Sequence, residues 1–253
     1  ADRKHPRKKK RPFAAGDISP LAGVGAIVLM LTASGLLAAY LRPLTSSIVH
    51  AIDPGATVPH AAVAGGLPFG FLGWLALYTV TTLAYSFYLK RRLLLDVFVL
   101  SGLYTLRILA GSAAADVGVS AWLAGFSVFF FLSLAFIKRF SELEGLRERG
   151  GTVSNGRGYF VSDLEQLRAL GVGAMYAAVV VLTLYINNPD NAGLYHHMAR
   201  LWLVVPVMLL WLSRMWMLAS RGAMHDDPVV FAITDKRSLA LGVLMAMIVW
   251  WAL

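Results

Sequence analysis

ADRKHPRKKKRPFAAGDISPLAGVGAIVLMLTASGLLAAYL, residues 1–41, sets seven lysines and arginines in its first nineteen positions directly against an apolar run that begins at Pro20. The run from Pro20 to Leu41 carries no charge, and it is about the 20 residues that a helix needs to cross a bilayer. The same alternation of basic connection and apolar run continues to the C-terminus. Further apolar segments are expected over Leu67–Tyr88, Leu93–Gly111, Ala121–Ile137, Leu170–Ile186, Leu201–Met217 and Leu239–Leu253. The fold class is therefore an all-α polytopic membrane protein.

Composition agrees. With 58% hydrophobic and 15% charged residues, the 253-residue chain is too apolar for a soluble domain of its length. There is no cysteine, which excludes disulfides, a thiol nucleophile and cysteine-ligated metal. The charged stretch at the N-terminus is too long for a cleavable signal peptide, and none is expected.

The net charge of +9 is informative only through its distribution. Residues 1–19, 89–92 and 138–169 and the connection around Arg214, Arg221, Lys236 and Arg237 hold twenty of the 23 lysines and arginines. The intervening connections hold Arg42 and Arg200, and Arg107 lies within a segment. The positive-inside rule then places the N-terminal loop in the cytoplasm of a bacterial-type inner membrane and the C-terminus outside. A basic run before a membrane helix serves topology or lipid headgroups in the simplest case. A nucleic-acid patch is disfavoured, because no aromatic platform accompanies it and a membrane helix adjoins it.

Paired polar functions collect on the basic side. SLAFIKRFSELEGLRERGG (residues 133–151) puts Lys138, Arg139, Glu142 and Glu144 where a helix leaves the membrane. Lys138 and Glu142, four apart, share a helix face, so an ion pair between them is the ordinary expectation. The functional alternative is a mouth at which Lys138 and Arg139 meet phosphate oxygens and Glu142 meets a metal or a sugar hydroxyl. Tyr85 and Tyr88 would stand at headgroup depth beside Lys90, Arg91 and Arg92, either as an aromatic belt or as part of the mouth. Asp96 and Arg107, eleven residues apart, project from nearly one face of the third segment, and ionisable groups at such depth usually line a cavity. For Arg107, reaching the outer interface is the alternative. The glycine-rich Gly150–Gly158 reads as a flexible loop. Ser162 and Glu165 have the spacing of a capping box. Pro228 suits the first turn of a short helix capped by an aspartate, with His225, Asp226, Asp227 and Asp235 nearby. HExxH, Walker A, G-x-S-x-G and G-x-G-x-x-G patterns do not occur.

Together these loops resemble the UbiA superfamily of intramembrane prenyltransferases. The family signature N-D-x-x-D-x-x-x-D is followed by H-P-x-K-x-x-R-P and a small-residue turn. Here Asp2 looks like its last aspartate, His5-Pro6-Arg7-Lys8-Lys9-Lys10-Arg11-Pro12 matches the basic part, and Ala14-Ala15-Gly16 supplies the turn. Residues 84–111, 136–143 and 227–238 look most like the decaprenyl-phosphate phosphoribosyltransferase branch. Lys138-Arg139-Phe140-Ser141-Glu142-Leu143 stands where aromatic prenyltransferases carry a second aspartate-rich motif, which favours a phosphoribosyl or related polyprenyl-phosphate transferase. The family has nine membrane helices. The resemblance thus implies one UbiA-like transmembrane transferase domain over residues 1–253, truncated at its N-terminus, with seven of nine helices and motif loops at 1–19 and 138–169.

The resemblance also implies a site. Asp2 would bind Mg²⁺, and Asp2, Lys8, Arg11 and Glu142 would act in catalysis. Arg3, His5, Lys8, Arg11, Tyr85, Lys90, Lys138 and Arg139 would contact substrate phosphates. Asp96 and Arg107 would line the cavity. Substrates would be polyprenyl phosphate with phosphoribosyl diphosphate, or alternatively a prenyl diphosphate with an aromatic or other small acceptor. Relatives of this kind can carry an upstream haloacid-dehalogenase-type phosphatase. A polyprenyl-lipid transporter is the rival from another class, with Asp96 and Arg107 as its best features.

Overall fold

The computed structural model describes residues 15–16, 19–52, 70–115, 119–153, 157–224 and 227–253. The chain divides into two units, Ala1–Thr57 and Val58–Leu253. Among its described residues the first contains the helix α1 (Pro20–Ile52), whose start is capped where the Ser19 hydroxyl accepts the Ala22 N–H at 3.2 Å. It outruns the expected segment because residues 42–52 offer only Pro43 as an interruption, and the chain stays helical through it.

The second unit holds α2 (Phe71–Phe87), α3 (Leu95–Ala115), α4 (Ala121–Arg147), α5 (Leu164–Asn187), α6 (Val204–Ser220), α7 (Pro228–Thr234) and α8 (Lys236–Ala252). Short 3-10 turns precede α5 and α6. The described residues contain no strand, only an isolated antiparallel bridge between Val153 and Phe160. Within the described residues, every expected apolar segment falls on a helix. Leu95–Ala115, Ala121–Arg147, Val161–Asn187 and Met198–Ser220 are long and apolar enough to span a membrane by length and composition, and Phe71–Phe87 is shorter.

α4 is the central post. Its 27 residues rise about 40 Å against a hydrocarbon core of about 30 Å, so its charged last turns stand clear of the core. It packs mainly on α5 and α3 and also touches α6 and α7. The interior is built from Phe136, Phe140, Leu167, Met175, Leu212 and Met215. Large apolar side chains such as Leu77, Val80, Val180, Leu210, Val243 and Trp250 instead face outward. In water such a surface would be a liability; against lipid it is the expected outer face.

Since lipid is as apolar as leucine, close packing rather than water exclusion must hold these helices together. Gly171 of α5 shows how. A Cβ there would lie 2.2 Å from Trp216 Cζ2 and 2.7 Å from Phe136 Cβ, so only glycine lets α4, α5 and α6 meet. Trp216 Nε1 in turn donates to Ser133 Oγ at 3.1 Å in the interior. Gly171→Ala is expected to cost about 1–3 kcal/mol by overpacking, read as a lowered Tm in detergent.

The two ends of this unit differ sharply. At one end, the His197 N–H donates to the Ala252 carbonyl at 3.0 Å. Arg200 Nη1 donates to the Trp251 carbonyl at 2.6 Å, and its guanidinium lies 4.2 Å from the Trp251 ring centroid. At the other end, where α3, α7 and α8 begin and α4 and α6 finish, lie all the ion pairs among the described residues.

Two local expectations need correction. The Ser162/Glu165 capping box does not form. Instead the Asp163 carboxylate accepts the Phe160 N–H at 2.9 Å, because residues 161–163 form a 3-10 turn that moves the start of α5 to Leu164. The edges of the Gly150–Gly158 loop are pinned rather than loose: Val161 N–H donates to the Thr152 carbonyl at 3.0 Å, and Tyr159 beside it is fully buried.

Candidate active site

The site grows from a strained turn. After α2 and the 3-10 turn Leu89–Arg91, Leu94 takes φ +62°, and the Leu95 N–H reaches back to the Leu93 carbonyl at 2.7 Å. This is a γ-turn of the positive-φ kind, a rare and strained conformation for a branched residue. It reverses the chain so that Asp96 falls in the first turn of α3, where the helix dipole favours a carboxylate.

Asp96 is fully buried, and so is Arg139 on α4; Arg139 Nη2 lies 2.8 Å from Asp96 Oδ2. The two atoms form an ion pair without hydrogen-bond alignment. Arg139 Nη1 meets Glu142 Oε2 one helical turn on. Tyr159 closes the other side. Its hydroxyl donates to Asp96 Oδ1 and accepts the Leu94 N–H at 3.1 Å, and its ring centroid lies 5.8 Å from the Arg139 guanidinium carbon. Burial first, then the hydrogen bond to Asp96, raises the Tyr159 phenol above its ordinary value, so it stays protonated and donates.

The network reaches solvent at Glu142, whose side chain is 40% exposed and takes a second cation, Arg157 Nη1, at 3.1 Å. One carboxylate is thereby held between a buried and an outer arginine, aimed from a rigid helix. Such a group can accept hydroxyl hydrogens or share a cation, with its orientation set in advance.

Lys138 does not pair with Glu142, which corrects the expectation of a Lys138–Glu142 bridge. Its ammonium goes to Asp227 Oδ2, 89 positions away. Asp227 caps α7 by accepting the Val229 N–H at 3.0 Å, with Pro228 at the first position as expected, and the cap presents the carboxylate to α4. Leu100, Tyr104, Leu134 and Ala135 line a small apolar recess beside this pair.

Asp235 is a second cap. It accepts the Ser238 N–H at 2.8 Å and is forked by Arg214, with Nη1–Oδ2 at 2.6 Å and Nη2–Oδ1 at 3.1 Å. Chiefly the Arg214 hydrogen bonds, assisted by Ser238, hold its carboxyl down at about 2. A depressed carboxylate stabilises the fold above its unfolded value of about 4, and that contribution is lost as pH falls towards 2. Arg214→Ala is accordingly expected to lower Tm at pH 6, with the deficit shrinking at pH 2–3.

The other expected residues fall as follows. Asp2, Arg3, His5, Lys8 and Arg11 lie outside the described residues, as do His225 and Asp226. Tyr85 is half-buried on α2 in the field of Arg139, Asp96, Lys138 and Glu142. Lys90 sits in the 3-10 turn and takes no part in the network. Arg107 is not brought to Asp96: it is exposed, bonded through Nε and Nη2 to the Tyr78 hydroxyl at 3.0 and 2.7 Å, and flanked by the Tyr78 and Tyr104 rings. Tyr159 and Arg157 were given no role by the sequence; the one signal for them is a lone tyrosine after glycine within a basic loop.

Among the described residues no group of three His, Cys, Asp or Glu side chains could hold a metal. Glu142 and Asp227 are already engaged by cations. The described part of the site therefore does not fit Mg²⁺ by itself.

Apolar helices with lipid-compatible outer faces, with a buried ion pair at one end, define a multi-pass helical membrane protein. No protein-family model matches the chain. The chain belongs to the family of the nodulation protein NoeC of Azorhizobium caulinodans, to which it is 34% identical over 238 residues, 94% of this chain and 69% of that protein. An uncharacterized protein, y4nM of Sinorhizobium fredii, is 37% identical over 248 residues, which are 97% of this chain. The decaprenyl-phosphate phosphoribosyltransferase of Mycolicibacterium smegmatis is 28% identical over 193 residues, 76% of this chain, and this distant likeness supports a UbiA-like family. The chain spans 43% of y4nM and 52% of the Mycolicibacterium protein.

Proposed function

We propose that the chain forms the membrane part of a Mg²⁺-dependent UbiA-type transferase that moves phosphoribose from phosphoribosyl diphosphate to a polyprenyl phosphate. The observation that carries this reading is Glu142, an exposed carboxylate fixed among Arg139, Arg157 and nearby Lys138 at one end of an apolar bundle. The outer cations Arg157 and Lys138 suit phosphates, the carboxylate that Arg139 holds in place suits ribose hydroxyls, and the surrounding helices suit an isoprenoid tail. The name of the Mycolicibacterium relative, a decaprenyl-phosphate phosphoribosyltransferase, supports phosphoribosyl transfer to a lipid phosphate.

In this reaction a phosphate oxygen of the lipid attacks the anomeric carbon as the bond from that carbon to diphosphate breaks. Diphosphate leaves with the bonding pair, and its growing charge is what nearby cations stabilise. The reading places this end of the bundle in the cytoplasm and the C-terminus across the inner membrane. It also includes Mg²⁺ held at Asp2.

The test compares membranes given labelled phosphoribosyl diphosphate plus polyprenyl phosphate with membranes given labelled prenyl diphosphate plus a small aromatic acceptor. Label in a phosphoribosyl lipid is the expected result; label only in a prenylated acceptor selects prenyl transfer instead. Lipid binding without product selects a transporter. In the full-length protein, Asp2→Asn or Lys8→Ala is expected to abolish transfer with expression intact, and wild-type turnover in either variant overturns the reading.

A further inference from the structure

The loop between α4 and α5 carries Arg157, which meets Glu142 at the mouth just before an anchored stretch of chain. Two residues on, the fully buried Tyr159 is locked between the Leu94 N–H and the Asp96 carboxylate. Gly158 between them has φ +69°, and a Cβ there would stand 3.5 Å from the Arg91 carbonyl, so the loop lies close on the turn after α2. A mere surface loop has no need of a buried phenol against a strained turn. We propose that Arg157 binds the phosphates of the anionic donor and that Tyr159 is the residue that positions it.

The geometry separates Arg157 from Arg139. Arg139 is fully buried and held by carboxylates on two sides, so it cannot meet a donor without breaking its pair with Asp96 or Glu142. Arg157 is 28% exposed and engages Glu142 through Nη1 alone. A guanidinium has five donors in a planar fork, and among the described residues only Nη1 is engaged, which leaves Nε and Nη2 for a phosphate while Nη1 keeps the group oriented. Partial burial strengthens such a contact relative to open water. The donor's identity as phosphoribosyl diphosphate rests on the transferase reading; the anion site does not.

The full-length protein, purified in detergent, is titrated with inorganic diphosphate by calorimetry, with Tm recorded for each variant. Wild type is expected to bind, and Arg157→Ala to raise Kd about tenfold or more at unchanged Tm. Arg157→Lys, which keeps the charge and loses the fork, should fall between them. Tyr159→Phe, which keeps the ring and loses the hydroxyl, should also raise Kd. In turnover the same variants raise KM for phosphoribosyl diphosphate more than they lower kcat. Wild-type affinity in Arg157→Ala, or no binding by the wild type, overturns the proposal, and wild-type affinity in Tyr159→Phe overturns its positioning half. Should Tyr159→Phe lose its fold, Arg157→Ala decides alone. Diphosphate binding that follows this pattern without phosphoribosyl transfer leaves the anion site standing and removes the transferase reading.

Discussion

Arg139→Ala is expected to cost about 3–5 kcal/mol, the effect of leaving a partner charge buried and unpaired. The Asp96 carboxylate would keep the Tyr159 hydrogen bond and lose the one cation that pairs with it among the described residues. Inside a membrane bundle that loss is not relieved by water. The readout is Tm and the fraction of monodisperse protein in detergent. Changing both partners, Asp96→Asn with Arg139→Gln, removes both charges together and should recover more than half of the deficit, since an uncompensated charge rather than a missing attraction dominates the cost. If the double variant is as unstable as the single one, the pair is not the unit described.

Glu142→Gln is expected to leave Tm within a few degrees and lower transfer about 100-fold, the scale on which oriented polar groups at a reacting centre act. Glutamine keeps the shape and one acceptor oxygen for the arginines but discards the charge. Glu142 is the exposed end of the network, so its loss strands less charge in the interior than the loss of Asp96 would. A transfer rate near wild type would remove Glu142 from the site while leaving Arg157 and Lys138 in question independently.

How far the chain could be read from its residues follows from the range of the forces involved. Membrane helices are written locally, as apolar runs of sufficient length, and within the described residues all seven runs fall on helices. Their ends were less legible. α4 continues to Arg147 and α5 begins at Leu164 because a charged segment can stay helical after it leaves the apolar phase. Asp96 as an interior residue was legible too, since a lone carboxylate in an apolar run must be sheltered. Its partners were not, because Arg139 and Tyr159 reach it from other elements and helical spacing describes one helix only. Lys138 shows the same limit in reverse: the neighbour four residues away was available, yet the helix cap at Asp227 drew it across the bundle. The basic stretch at residues 1–19, the strongest family signal, lies mostly outside the described residues.

The turn at Leu94 also bears on how the protein is made. A chain synthesised from its N-terminus presents Asp96 before either of the groups that shelter it, and Tyr159 follows 63 positions later. Until α4 has been threaded and the next loop has folded back, the bilayer holds an acidic side chain with no counterpart and a backbone bend with no acceptor for the Leu94 N–H. Arg139 on α4 brings the countercharge, and Tyr159 then supplies the acceptor for the Leu94 N–H and a second hold on Asp96.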